Sequence, residues 1–408
     1  MKRLVLTLTL TMGAACSLWA ARTAPWSKEK AWAWYNAQPW MRGCNYLPAS
    51  AANYADMWQE LGSEERFKEM EKEFALAQKT GFNVMRLIIH EQGFGIWLAD
   101  HDGFMARFER WLQLLDQYGM RAIILLGNDC SRPKEMWQMP KPGVQKYDWG
   151  YHGGRKKTQH GSFKNAVGYT ILDEPTLRPK FYEMCGELLT KYRTDRRVAF
   201  WNLWNEPGNN NRGPLTMSHM RQLFDLAWKI DPIQPLAADV WGDGYGMGLP
   251  KGVKPDARRE AREAVQKMAG ELSDIISYHC YGPYPNQVKL IRDLKRYYGR
   301  PLVNTEWLAR IKGCNVTDCY PLFYIEKVGA VNWGLVAGKY QTYEPYEPMW
   351  ATIEKGGGQD WDMTKWYHDL FRPSHHPYDP KELRIIKRFN ALADEDFAID
   401  QARVTKEK

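Results

Sequence analysis

After its first dozen positions, no stretch of this chain approaches the ~20 apolar residues of a transmembrane helix, so no later segment reads as a membrane span. The chain has no Gly-rich phosphate loop and no Cys/His pattern at metal-ligand spacing, and neither a cofactor nor a metal is expected. Asp100-His101-Asp102 lacks partners at ligand spacing and reads as a helix-capping loop. Charge of one sign is nowhere concentrated. The net charge of +8 is modest for 408 residues, and Lys and Arg alternate with Asp and Glu, as in Arg258-Arg259-Glu260-Ala261-Arg262-Glu263. That pattern is a solvated helix face, and no nucleic-acid partner is expected. Internal repeats, low-complexity tracts and Pro/Ser linkers are also lacking, which predicts one domain over residues 22–408. Cysteine is sparse, at 7 residues. Besides Cys16 there are Cys44, Cys130, Cys185, Cys280, Cys314 and Cys319. An exported protein could oxidise some of these, and Cys314 and Cys319 are near enough in sequence to pair, but spacing leaves the connectivity open.

What the chain does have is aromatic surface and an export-like leader. Its 19 Trp and 22 Tyr exceed ordinary usage. Most such rings fill a core, although aromatic faces also stack on the C–H faces of sugars. Lys2 and Arg3 precede an apolar run from Leu4 to about Met12, then Gly13-Ala14-Ala15-Cys16 and Ala20-Ala21. Residues 1–21 are therefore expected to be a signal peptide cleaved near Ala20 or Ala21, sending the protein to the periplasm or outside the cell. Cys16 loosely resembles a lipoprotein acceptor. Gly13 stands where a branched aliphatic residue belongs, so lipid anchoring is the secondary reading.

Strand-like and helix-like segments alternate from Met41 onward. Strands are predicted at Met41–Tyr46, Phe82–Ile89, Arg121–Leu126, Val198–Leu203, Pro235–Val240, Ile275–Tyr278, Pro301–Thr305 and Ala330–Val336. These are short, apolar and often β-branched, as befits strands buried on both faces. Helical periodicity marks Glu64–Thr80, Phe104–Tyr118, Leu177–Tyr192, Thr216–Ile230, Asp256–Leu272, Asn286–Tyr298, Thr317–Lys327 and Pro380–Leu392. Eight such units predict an α/β fold, a TIM (β/α)8 barrel. The alternative is a doubly wound open sheet, but the first strand lacks the Gly-rich dinucleotide turn. Long loops follow strand three (Gly127 to Glu174) and strand eight (Ala337 to Tyr378), on the rim where barrel active sites are built.

Two carboxylates stand at strand tips. Val198-Ala199-Phe200-Trp201-Asn202-Leu203-Trp204-Asn205-Glu206-Pro207 ends strand four with Glu206, and Pro301-Leu302-Val303-Asn304-Thr305-Glu306-Trp307 ends strand seven with Glu306. Each alone could be a solvated loop residue. A pair across one pocket is what glycoside hydrolysis requires. With Arg86 in Asn83-Val84-Met85-Arg86-Leu87, His279 and Tyr281 in Ser277-Tyr278-His279-Cys280-Tyr281, and Trp333 in Val331-Asn332-Trp333-Gly334, the set resembles the retaining glycoside hydrolases of clan A. It is similar in style to family five, the cellulase and mannanase group, over nearly the whole chain after the leader.

The resemblance implies roles. Glu206 would be the acid/base, with a raised pKa, and Glu306 the nucleophile, kept ionised by Arg86. Asn205 would bind a sugar hydroxyl, Tyr281 would sit beside Glu306, His279 would line the pocket, and Trp333 would be a sugar platform. Arg86, His279 and Trp333 could instead be an ordinary ion pair, a core histidine and barrel packing. The chain lacks a His that the family often carries near the end of strand three. Asn128 and Asp129 stand there, and His90 at the end of strand two is a possible substitute. Asp239, Trp241 and Asp243 at the tip of strand five could also reach ligand. The strand-three loop carries Trp137, Tyr147, Asp148, Trp149, Tyr151 and His152, and the strand-eight loop Tyr343, Tyr346, Trp350, Trp361 and Trp366. These predict a pocket for short or branched glycans rather than an open groove. The expectation is an exported retaining β-glycosidase with a carbohydrate substrate. A glycan-binding protein on a degenerate barrel and a transglycosidase using the same residues are the alternatives.

Overall fold

The computed structural model of the protein describes residues 21–147, 152–154 and 166–406. The leader through Ala20, Cys16 included, and Asp148, Trp149 and Tyr151 lie outside the described residues.

All eight predicted strands are present: β1 (Arg42–Tyr46), β2 (Val84–Ile88), β3 (Arg121–Asn128), β4 (Val198–Asn205), β5 (Leu236–Ala238), β6 (Ile276–His279), β7 (Leu302–Trp307) and β8 (Gly329–Asn332). They pair in parallel in the order β5-β4-β3-β2-β1-β8-β7-β6. Pairing of β1 with both β2 and β8 curls the sheet on itself, and the fold is a TIM barrel. The junction of β5 with β6 has no continuous ladder. It is crossed by Asp274 N–H to the Leu236 carbonyl at 2.8 Å, Val240 N–H to Ser277 at 2.9 Å and His279 N–H to Val240 at 3.1 Å.

Burial explains why these residues form strands. Every residue of β1, β2 and β4 to β8 is buried, so apolar or β-branched side chains serve on both faces. Lower in the barrel, Val84, Ile123, Ala199, Phe200, Ala237, Val303 and Val331 form one inner cluster with Ala31 and Tyr35. The last two belong to a helix, Lys28–Asn36, that the aromatic lead-in did not betray. The larger cluster lies between the barrel and the surrounding helices.

The expected helices are found, with ends shifted by up to three residues in all but the last, which runs on from Pro380 to Lys406. Asp100 does cap a helix, His101–Gln117, by accepting the Gly103 N–H at 3.2 Å. Short helices at Tyr54–Trp58, His90–Ala99 and Glu347–Glu354 were not expected. His90–Ala99 is apolar nearly all round and shows no stripe to read. All six described cysteines are unpaired, and Cys314 and Cys319 are both buried.

Three ladder irregularities fall near the strand tips, at Asn202/Trp204 in β4, Tyr278/His279 in β6 and Asn304/Trp307 in β7. Such slips re-aim side chains. Here they adjoin the residues of the pocket.

Candidate active site

Arg86, in the middle of β2, is fully buried, and all five of its N–H groups are used. Its Nε donates to Asn202 Oδ1 at 2.9 Å, and Nη1 donates to Asn45 Oδ1 at 2.7 Å and Glu306 Oε1 at 2.8 Å. Nη2 donates to Asn205 Oδ1 at 2.7 Å and Asp239 Oδ2 at 2.8 Å. A buried charge is tolerable only with such complete pairing. Glu306, inside β7, also accepts the Tyr281 hydroxyl at 2.7 Å on Oε2.

Glu206 follows β4 directly, with φ at +41°, in the left-handed region that a non-glycine residue enters at a cost. Its side chain stays 16% exposed. Oε2 accepts from Asn209 Nδ2 at 2.6 Å and from the Cys130 thiol at 3.2 Å. Oε1 lies 3.0 Å from Nδ1 of His279. That same nitrogen is 3.4 Å from Glu306 Oε2, and the other ring nitrogen is 3.4 Å from Asp239. One oxygen of each glutamate and one ring nitrogen of His279 all lie within 4.8 Å of one another. The two carboxylates thus face each other across the His279 ring.

The electrostatics depart from expectation. Burial opposes the charge on His279, but the carboxylates of Glu306, Asp239 and Glu206 overcome it and hold the imidazole up at about 10. Burial likewise pushes Glu206 up, yet the hydrogen bond and charge of His279, with the bonds from Cys130 and Asn209, bring it below its ordinary value. Burial pushes Glu306 up, and Arg86 and His279 only partly offset that. The expected raised pKa on Glu206 is therefore not found. His279 carries the proton instead, and both glutamates are ringed by donors. In spacing these three groups could also hold a cation, which would have to displace that proton.

The pocket encloses about 190 Å³ and gathers His90, Asn128, Cys130, His152, Asn205, Glu206, Asn209, Tyr281, Glu306 and Trp333, with Tyr54, Tyr340 and Tyr346. His90 is buried and neutral, its pKa pulled down to about 3 by burial. Asn128 Oδ1 accepts from Asn205 Nδ2 at 2.9 Å, so Asn205 reaches the pocket already engaged on both amide atoms. Trp333 is only 5% exposed, with its indole covered by the His152 ring, rather than an open platform.

Three expected contacts lie elsewhere. Asp129 is turned into the protein, where it accepts from Gly208 N–H at 2.6 Å, from Arg212 Nε at 3.0 Å and from the Thr216 hydroxyl. This ties the tip of β3 to the loop after β4. Asp239 is fully buried behind Arg86 and His279, and accepts from Thr305 Oγ1 at 2.9 Å. Trp241 donates to the Pro207 carbonyl at 3.1 Å, with Arg262 5.1 Å from its ring centre. It braces the turn that carries Glu206. Sequence reasoning missed Asn45 and Asn202, although a polar residue inside an apolar strand was the available signal. It also missed Cys130 and Asn209 as partners of Glu206, for which no local pattern exists.

No family model and no curated protein matches the chain. Solved structures do match its fold. An exo-β-1,4-mannosidase from Opitutaceae bacterium strain TAV5 superposes at TM-score 0.52 with 14% identity, over 88% of this chain and 60% of that one. An endo-β-1,4-mannanase from Thermotoga petrophila gives 0.51 with 15% identity, over 88% and 78%. A glycoside hydrolase family 5 mannosidase from Rhizomucor miehei gives 0.50 with 15% identity, over 88% and 94%. At such identity the likeness is one of fold, and the fold is the TIM barrel that the sequence predicts.

Proposed function

We propose that the protein is a retaining β-glycosidase that cleaves O-glycosidic bonds through a covalent glycosyl-enzyme. The observation that carries this is the pair Glu206 and Glu306, their oxygens within 4.8 Å of the shared His279 nitrogen, at the base of a pocket on the barrel rim. Glu306 is the nucleophile. Its oxygens receive Arg86 and Tyr281, donors that favour the anion against the opposing effect of burial. Glu206 is the acid/base. His279 passes its proton across 3.0 Å to Glu206 Oε1, and Glu206 delivers it to the glycosidic oxygen as that bond breaks. Glu306 bonds to the anomeric carbon at the same time. Water then attacks that carbon, its proton passes through Glu206 back to His279, and Glu306 leaves. Donors fixed before the reaction, as Arg86 and Tyr281 are here, are what such a step needs.

The mannan-cleaving names of the fold neighbours make β-1,4-mannosides the first substrates to test. The leader-like residues 1–21 support export. Turnover should fall by at least ~10²–10⁴-fold in Glu206→Gln and Glu306→Ala on the β-glycan that the wild type hydrolyses, with the melting temperature kept. Full activity in either variant would end this reading.

A further inference from the structure

Three cavities adjoin one another on the rim. The largest, about 700 Å³, is lined by Asn53, Glu91, Gln92, Met136, Trp137 and Lys146 among others, and meets the catalytic pocket at Cys130. The pocket itself holds about 190 Å³. Beyond it, behind Trp333 and Tyr340, is a space of only about 20 Å³ bordered by Gly334, Thr342 and Asp369. That last volume accommodates about one water molecule. Among the described residues, the pocket therefore gives onto a large space at Cys130 and onto almost none behind Trp333 and Tyr340.

The blind end is built by two loops meeting. The His152 ring lies on Trp333 at 5.2 Å and 26°, on Tyr340 at 4.5 Å and 30°, and edge-on to Tyr346 at 5.7 Å. Next to it, a Cβ on Gly153 would fall 2.5 Å from Glu344 Cβ and 2.8 Å from the Gln341 carbonyl, so only glycine lets the backbones approach this closely. Gly154 N–H then donates to the Pro345 carbonyl at 2.7 Å. The loop after β3 is thus tied to the loop after β8 across the end of the pocket.

The polarity of the site follows from the glutamates. Glu206 lies beside Cys130, 3.2 Å from its thiol, on the open side. The group that Glu206 protonates is the one that departs, so the leaving part of the glycan extends into the large cavity. The retained sugar sits at the blind end. A volume of about 190 Å³ falls below the ~300–1,000 Å³ of pockets for drug-sized ligands and suits a single ring.

We propose that His152 is the specificity-determining residue that limits the retained side to one sugar, making the protein an exo-acting enzyme that removes single residues from non-reducing ends. This rests on the glycosidase reading above. The test is early product analysis with reducing-end-labelled hexaoses of β-1,4-mannan, β-1,4-glucan and β-1,4-xylan. Wild-type protein should give labelled pentaose and free monosaccharide first. His152→Gly should add labelled dimers to tetramers at tenfold or greater increase over wild type. Gly153→Val, which displaces the same segment without altering the ring, should do likewise. Labelled dimers to tetramers as the first wild-type products would overturn the blind-pocket inference and leave the hydrolase reading standing. So would unchanged product patterns in both variants. No turnover of any hexaose by the wild type would overturn both.

Discussion

At the floor of the pocket, Arg86 places five N–H groups on five side-chain oxygens. At the blind wall, His152, Trp333, Tyr340 and Tyr346 hold one another by ring contacts. The floor is rigid in a particular sense: each partner compensates a desolvated charge, so removing one exposes the cost of another. The wall is additive. Each ring contact contributes a modest amount, and losing one leaves no buried charge unpaired. On the readings proposed above, chemistry rests on the part that cannot be adjusted piecemeal, and substrate size on the part that can.

The sharpest way to break that contrast is Arg86→Met. It strands Glu306 and Asp239 in the protein, and should cost ~3–5 kcal/mol of stability in urea denaturation along with nearly all turnover. A loss within the range of an ordinary surface substitution would mean that the floor is as adjustable as the wall. Next comes pH. The folded-state pKa of His279 is raised from 6.5 to about 10, so its contribution is complete below pH 6.5 and disappears as pH rises through about 10. Thermal melts should show wild-type stability falling over that window by on the order of a few kcal/mol, a fall that His279→Asn lacks. Parallel curves for the two proteins would remove His279 from the floor's charge balance. The smallest effect is expected at the wall. Tyr340→Leu should lower stability in urea denaturation by about 0.5–1.5 kcal/mol, the worth of an aromatic contact. A loss as large as that of Arg86→Met would show that the wall is no more adjustable than the floor.

The floor was partly legible in the sequence and the wall scarcely at all. Glu206, Glu306 and Arg86 announce themselves because each ends or interrupts an apolar run whose strand character is unambiguous. Asn45 and Asn202 make the same kind of interruption but carry no charge, and they passed unnoticed. Asp129 looked like a ligand because it sits at the tip of β3. The direction its side chain takes is decided by Arg212 and Thr216, more than 80 positions away, which no local pattern reports. The wall depends on Gly153 meeting Gln341 and Glu344, a contact between two loops nearly 190 residues apart. The aromatic richness of those loops was visible, but of the rings named there only His152 and Tyr346 line the catalytic pocket among the described residues. Which ring lies on which is set by packing alone. The protonation pattern was misread for a related reason. The pKa of Glu206 depends on His279 arriving from β6 and Cys130 from the loop after β3.

The β5–β6 junction gives the barrel a direction in which to breathe. Hydrogen exchange and partial opening favour the place with the fewest main-chain bonds, and here that place runs between Asp239 and His279. Their ion pair, at 3.4 Å, acts as a clasp across the gap. When His279 gives up its proton the clasp loses half its charge, and it regains it when the proton comes back. On the glycosidase reading proposed above, the proton that His279 gives up in catalysis is the one that charges this clasp.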